Sequence, residues 1–181
     1  CRALKKRIFR DRDREDCWTK FAPSYERERE EFVTIESQKK SKGRLAMAFV
    51  KHRFGKTFFE KRGRKRATRA PLIFLHGGPG GHSRFLKDLF FLSDERQVFI
   101  YDQIGSGRST PISKKFWNIQ TFVNELDALV KAWELEQFHL MGGSWGATLA
   151  LEFFSRSRGG KQIRSLGFQS PMFSAKDWQA D

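Results

Sequence analysis

The sequence predicts an α/β fold, a mostly parallel sheet with helices on both faces. Short continuous apolar runs recur at 71–75, 97–101, 138–141 and 163–168, the pattern of strands buried on both faces. Helical patterns lie between them. The clearest spans 118–134, where Ile119, Phe122, Val123, Leu126, Leu129, Val130 and Trp133 form one stripe. Loops rich in glycine follow the first three runs. In a sheet of alternating strand and helix, such loops gather at the carboxyl ends of the strands, where ligands bind.

Taken in order, residues 1–30 alternate charges densely, as in Arg10-Asp11-Arg12-Asp13-Arg14-Glu15-Asp16. With few anchors beyond Trp18, Phe21 and Tyr25, this reads as a solvated helix or a disordered arm. The arm is taken to run over 1–40. Residues 45–50 and 56–60 read as two early strands, antiparallel and near a sheet edge. A basic loop over 61–70 follows them.

Composition narrows the class. The chain has 181 residues, 39% of them hydrophobic, enough for one domain with a real core. No apolar run approaches the ~20 residues that span a bilayer. The cysteines are Cys1 and Cys17, which form neither a disulfide scaffold nor a metal-ligand spacing. A reducing, cytoplasmic location is expected. The first residue is Cys rather than Met, with no signal-peptide pattern behind it, which reads as a truncated reading frame rather than a processed lipoprotein. The net charge is +14, and residues 39–69 hold 13 Lys and Arg against one acid, Glu60. No aromatic stacking pattern or nucleic-acid motif accompanies that block, so it reads as a solvated loop with basic flanks rather than a nucleic-acid site.

Three motifs carry the chemistry. Gly142-Gly-Ser-Trp-Gly146 lies between an apolar run and a helical pattern over 147–154. That is a strand, a sharp turn and a helix with Ser144 at the apex, the arrangement that lifts a nucleophilic hydroxyl above a sheet edge. His-Gly-Gly-Pro-Gly-Gly at 76–81 follows the 72–75 strand. Acyl transfer passes through an oxyanion that needs preorganised N–H donors. Gly78, or its neighbour Gly77, is the expected donor from this loop, and the N–H of Trp145 at the helix start is the second. His76 and Pro79 shape the loop. Asp102-Gln-Ile-Gly-Ser-Gly-Arg-Ser109 follows the 97–101 run. Its glycines, Gly105 and Gly107, lack the third glycine of a dinucleotide fingerprint and no helix opens directly after them. Asp102, Gln103 and Arg108 are read as residues that fix this loop.

One absence bears on Ser144. The histidines are His52, His76, His82 and His139, and all precede it. The triad of this serine arrangement runs Ser, then Asp or Glu, then His. His76 is expected to be a structural hydrogen-bonder and His139 a core residue of a strand, neither of them a base.

These three motifs, in this order and at these separations, resemble the proline iminopeptidases of the α/β-hydrolase superfamily over about residues 45–175. The second strand (Gly55-Lys-Thr-Phe-Phe-Glu60), the helix segment Phe122-Val-Asn-Glu-Leu126 and Ser165-Leu-Gly-Phe-Gln-Ser-Pro171 fit as well. Epoxide hydrolases share the fold but place Asp where Ser144 stands. The resemblance implies that Ser144 releases an N-terminal proline, or a similar small residue, from short peptides through an acyl-enzyme. It implies no cofactor and no metal. It further implies that 41–171 is the front part of an α/β-hydrolase domain and that 172–181 begins a helical cap, with the chain truncated before the cap, the last strands, the acid and the histidine. On that reading this chain is inactive alone and exposes a sticky edge strand at 163–168. The alternatives are another serine esterase or amidase of the superfamily, or a non-catalytic basic binding protein built on the half-fold. The sequence assigns no oligomeric state.

Overall fold

The structure is a computed structural model that describes residues 34–40, 45–64 and 67–171. Most of the charged arm, the cysteines, the centre of the basic loop and the expected start of a cap at 172–181 lie outside these residues. Among the described residues seven strands form a single sheet: β1 (Thr34–Lys40), β2 (Leu45–His52), β3 (Gly55–Arg62), β4 (Leu72–Leu75), β5 (Val98–Tyr101), β6 (Phe138–Gly143) and β7 (Ile163–Gln169). Their spatial order is β1-β2-β3-β5-β4-β6-β7. The pairs β1/β2, β2/β3 and β3/β5 are antiparallel, and β5/β4, β4/β6 and β6/β7 are parallel.

Strand β1 falls inside the stretch that the sequence assigned to the charged arm. Thr-Ile-Glu-Ser-Gln-Lys-Lys carries no strong apolar alternation. An edge strand needs none, because it pairs with a neighbour along one side alone.

Strands β4 and β5 read as unbroken apolar runs because both of their faces are covered, whereas β6 alternates buried and half-buried positions and β7, expected to be buried on both faces, has no buried residue because it lies at the sheet edge. Odd positions of β4 and β5, namely Ile73, Leu75, Phe99 and Tyr101, join a core with Phe122, Leu126 and Leu129 of α1 (Ile119–Ala132) and Leu149, Ala150 and Phe153 of α2 (Trp145–Arg156). The alternate positions, Phe74, Val98 and Ile100, pack with Phe90 on the opposite face, under the 3-10 helical segment Ser83–Asp94. Period-two alternation thus feeds two separate cores.

Helix α1 begins where Asn118, in extended conformation, accepts a hydrogen bond from the Thr121 N–H at 3.0 Å, a side-chain N-cap. The sequence stripe buries as expected, with Leu126 and Leu129 fully enclosed.

This topology places the site. From β4 the chain crosses one face to reach β5, then returns through α1 on the other face to form β6 on the far side of β4. The neighbours β4 and β6 therefore diverge into connections on opposite faces, which opens a crevice at their carboxyl ends. Leu75 and Gly142 are register partners there, so the 76–81 loop and Ser144 enter the same crevice.

Leu126→Ala should cost about 2–5 kcal/mol in chemical denaturation, because Leu126 has no exposed surface and the cavity has little room to collapse. Leu151→Ala, on a 39% exposed side chain of α2, should stay within about 0.5 kcal/mol.

Candidate active site

The turn around Ser144 is forced by backbone contact. A Cβ at Gly142 would lie 2.1 Å from the Gly146 carbonyl oxygen, and one at Gly146 would lie 2.3 Å from the Leu75 carbonyl oxygen. Neither position admits a side chain, and both approaches bring α2 hard against the ends of β4 and β6. Ser144 itself sits at φ 51° and ψ −122°, a left-handed backbone that costs a non-glycine residue ~1–3 kcal/mol. Its main chain is held by Ser144 N–H donating to the Gln169 carbonyl at 2.9 Å and by its own carbonyl accepting from Ala147 N–H at 2.9 Å. Ser144 is the N-cap of α2, yet its side chain makes no capping bond. A serine that could satisfy helix N–H groups instead keeps its hydroxyl clear of them.

The glycine loop lies directly beside it. A Cβ on Gly77 would stand 3.3 Å from the Ser144 Cβ and 3.9 Å from its Oγ. Gly77 is thus the loop residue against the serine, and Gly78, at φ +128°, carries the chain on through Pro79. Trp145 opens α2, so its N–H is among those with no acceptor inside the helix.

His76 is buried, and both ring nitrogens are engaged. Gln103 N–H donates to Nε2 at 2.9 Å, which puts the ring proton on Nδ1, where it is 2.8 Å from the Gly77 carbonyl. Burial holds this histidine below its ordinary pKa despite the Gly77 carbonyl and Asp102. His139, expected in the core, is instead half-buried, because its face of β6 is only partly covered, and it is hydrogen-bonded through Nδ1 to the Ser165 hydroxyl at 2.7 Å. It sits on β6, five positions before Ser144. The two histidines considered as bases are therefore a loop brace and a cross-strand partner.

The third loop ties the other two together. Gln103 donates from Nε2 to the His76 carbonyl at 2.8 Å and accepts from the Trp145 indole N–H at 2.9 Å. Asp102 anchors the loop from below. Its Oδ1 accepts from the Ser83 N–H at 2.7 Å and the Ser83 hydroxyl at 2.6 Å, and its Oδ2 accepts from Arg108 N–H at 2.9 Å and Arg108 Nε at 3.0 Å. Burial pushes the Asp102 carboxyl up, but the bonds from Ser83 and Arg108 outweigh it and hold the pKa below the usual value. Gly107 is required there, since a Cβ would meet Asp102 Oδ2 at 2.4 Å. Gly105 packs against Ile112 and Trp117. Arg108 continues to Glu60 at 3.0 Å, which also meets Lys87 at 3.1 Å.

Glu125 was not singled out from the sequence. It is fully buried on α1, and its Oε1 accepts from the Ile104 N–H at 2.7 Å and from the Thr57 hydroxyl. Thr57 in turn bonds His52 Nε2 at 2.8 Å. Burial raises the Glu125 pKa to about 8, against the lowering effect of Thr57 and Ile104. The signal was available, because Glu125 lies within the apolar stripe between Phe122 and Leu129, where a solvated carboxylate does not belong.

Among the described residues no cluster of three or more His, Cys, Asp or Glu is arranged to hold a metal ion. No helix among them is long and apolar enough to cross a membrane.

A strained serine at a strand–helix turn, faced by a glycine loop at a topological switch point, defines a class of protein. The chain belongs to the α/β hydrolase fold family, whose model matches residues 70–180. Within that family it is similar to proline iminopeptidases. It is 39% identical to that of Heyndrickxia coagulans over 112 residues, covering 61% of this chain and 38% of that protein. It is 33% identical to that of Clostridium botulinum over 128 residues, covering 70% of this chain and 43% of the relative. The crystal structure of proline iminopeptidase from Mycobacterium smegmatis superimposes with a TM-score of 0.64 at 28% identity, over 81% of this chain and 47% of that one. The chain thus spans less than half the length of these relatives.

Two outcomes check this geometry. Gly146→Ala should prevent the turn from forming, seen as loss of the cooperative melt or a fall of several degrees in Tm. Glu125→Gln should flatten the pH dependence of stability. The folded protein holds the Glu125 proton up to about pH 8 while the unfolded chain releases it near 4.5. The parent therefore has this stability in full below 4.5 and loses it as pH rises to about 8, by up to ~1.4 kcal/mol per pH unit. Urea melts between pH 5 and pH 8 read the difference, with the Gln variant the more stable at the upper end.

Proposed function

We propose that this chain carries the nucleophile and oxyanion site of a serine hydrolase that releases N-terminal proline, or a similar small residue, from short peptides. The observation that carries the reading is the placement of Gly77 against a left-handed, uncapped Ser144. Ser144 Oγ attacks the scissile carbonyl carbon while its proton passes to a base. The carbonyl oxygen becomes an oxyanion, held by N–H groups of the Gly77–Gly78 loop and of Trp145, where the dipole of α2 adds to the field. The tetrahedral intermediate collapses and expels the amine, which takes the proton. Water then attacks the acyl-enzyme by the same route and frees Ser144.

The base and its orienting acid are assigned to polypeptide outside this sequence. His76 and His139 are committed elsewhere, and the order Ser, acid, His puts the pair after Ser144. Peptide chemistry is supported by the names of the relatives at 33% and 39% identity. A cytoplasmic location and the absence of a cofactor go with the same reading, and residues 41–171 are taken as the front of the hydrolase domain.

The test uses the full natural polypeptide that carries this sequence. It should hydrolyse proline p-nitroanilide, and Ser144→Ala should lower kcat at least ~10³-fold with the fold retained. Cleavage of aryl esters with proline p-nitroanilide untouched would move the assignment to an esterase or amidase. Undiminished turnover in the Ser144→Ala protein would end it.

A further inference from the structure

The amide of Gln103 occupies an unusual position. It is 1% exposed and bridges the two segments that flank Ser144. Its Nε2 reaches the carbonyl of His76, the residue that opens the glycine loop, and its Oε1 receives the indole N–H of Trp145, the residue that follows the serine. The Gln103 main-chain N–H closes a second bond to the same histidine through Nε2. One end of the gap presents an acceptor and the other a donor, and a primary amide carries one of each on a single rigid plane. A carboxylate offers no donor to His76, and an apolar side chain of similar size offers neither group. The next residue is fixed as well, since Ile104 N–H is bonded to the buried Glu125 at 2.7 Å. The clamp is therefore mounted on α1 and not on a free loop.

Resting on the serine-hydrolase reading above, we infer that Gln103 is a positioning residue that sets the distance between the two oxyanion donors, the Gly77–Gly78 loop and the Trp145 N–H. Oxyanion donors act only when they stand at hydrogen-bond distance from where the charge develops, and a displacement near 1 Å is enough to lose ~10²-fold in rate. His76 alone orients only the loop and the helix N-terminus alone orients only Trp145. Gln103 touches both.

The experiment measures phosphonylation of Ser144 by an alkyl fluorophosphonate, a probe indifferent to peptide specificity, in the full natural polypeptide. Maximal inactivation rate and probe affinity are separated by varying the probe. Gln103→Leu should lower the maximal rate about 10–100-fold with affinity within about twofold. Trp145→Phe keeps the backbone donor and removes the indole N–H together with part of the ring that packs on Phe122, so it reads the same bridge even where the Gln103 variant folds poorly. It should lower the rate about tenfold, and the double variant should be no slower than Gln103→Leu. Rates unchanged in Trp145→Phe, effects confined to affinity, or losses that multiply in the double variant would each overturn the role of Gln103 and leave the hydrolase reading standing. A wild-type protein whose Ser144 is never labelled would sink both together.

Discussion

The site depends on how closely helix α2 approaches the end of strand β4. Gly146 stands where any side chain would collide with the carbonyl oxygen of Leu75, and Gly142 stands where one would collide with that of Gly146. That approach bends the chain back within a few residues, drives Ser144 to positive φ, and carries the helix N-terminus to the glycine loop. Strain at the serine persists because two cores grip the surrounding elements. Leu149, Ala150 and Phe153 hold α2 on one face, while β4 and β5 are buried on both.

Around this contact the protein has built a dense polar frame. Asp102, Glu125 and Glu60 are all buried, and each bonds to backbone or to a cation. Burial pushes both Asp102 and Glu125 up, and their partners decide the outcome. Asp102 is met by Ser83 and Arg108 and remains an anion, whereas Glu125 has an uncharged hydroxyl and one amide and retains its proton towards neutral pH. The frame connects β3, the 83–94 segment, the Asp102–Ser109 loop and α1 through hydrogen bonds with specific directions. Apolar packing would tolerate small slips among these elements, but directed bonds do not. The loops beside Ser144 thereby inherit the rigidity of the core.

Much of this was legible in the linear chain. The four apolar runs became β4 to β7, though β7 lies unburied at the edge, the Ile119–Trp133 stripe became α1 with its final residue as the C-cap, and the serine motif formed the strand–turn–helix that its glycines demanded. Signals of that kind are local, because period, apolar content and glycine placement are set within a few residues. Strand β1 escaped notice because an edge strand needs little apolar patterning. The partners of Asp102 and Gln103 escaped notice because they come from sequence positions far apart, 19 residues for Ser83 and 42 for Trp145.

The sequence by itself determined the strand and helix pattern, the apex serine and the glycine loops, since steric exclusion of a Cβ is written into each residue. Only the tertiary structure decided which glycine faces Ser144, which histidines are occupied, and that a single glutamine joins the glycine loop to the helix. Those outcomes follow from the strand order. Inserting β4 between β5 and β6 brings three loops to one crevice, and hydrogen-bond partners are chosen by distance in space.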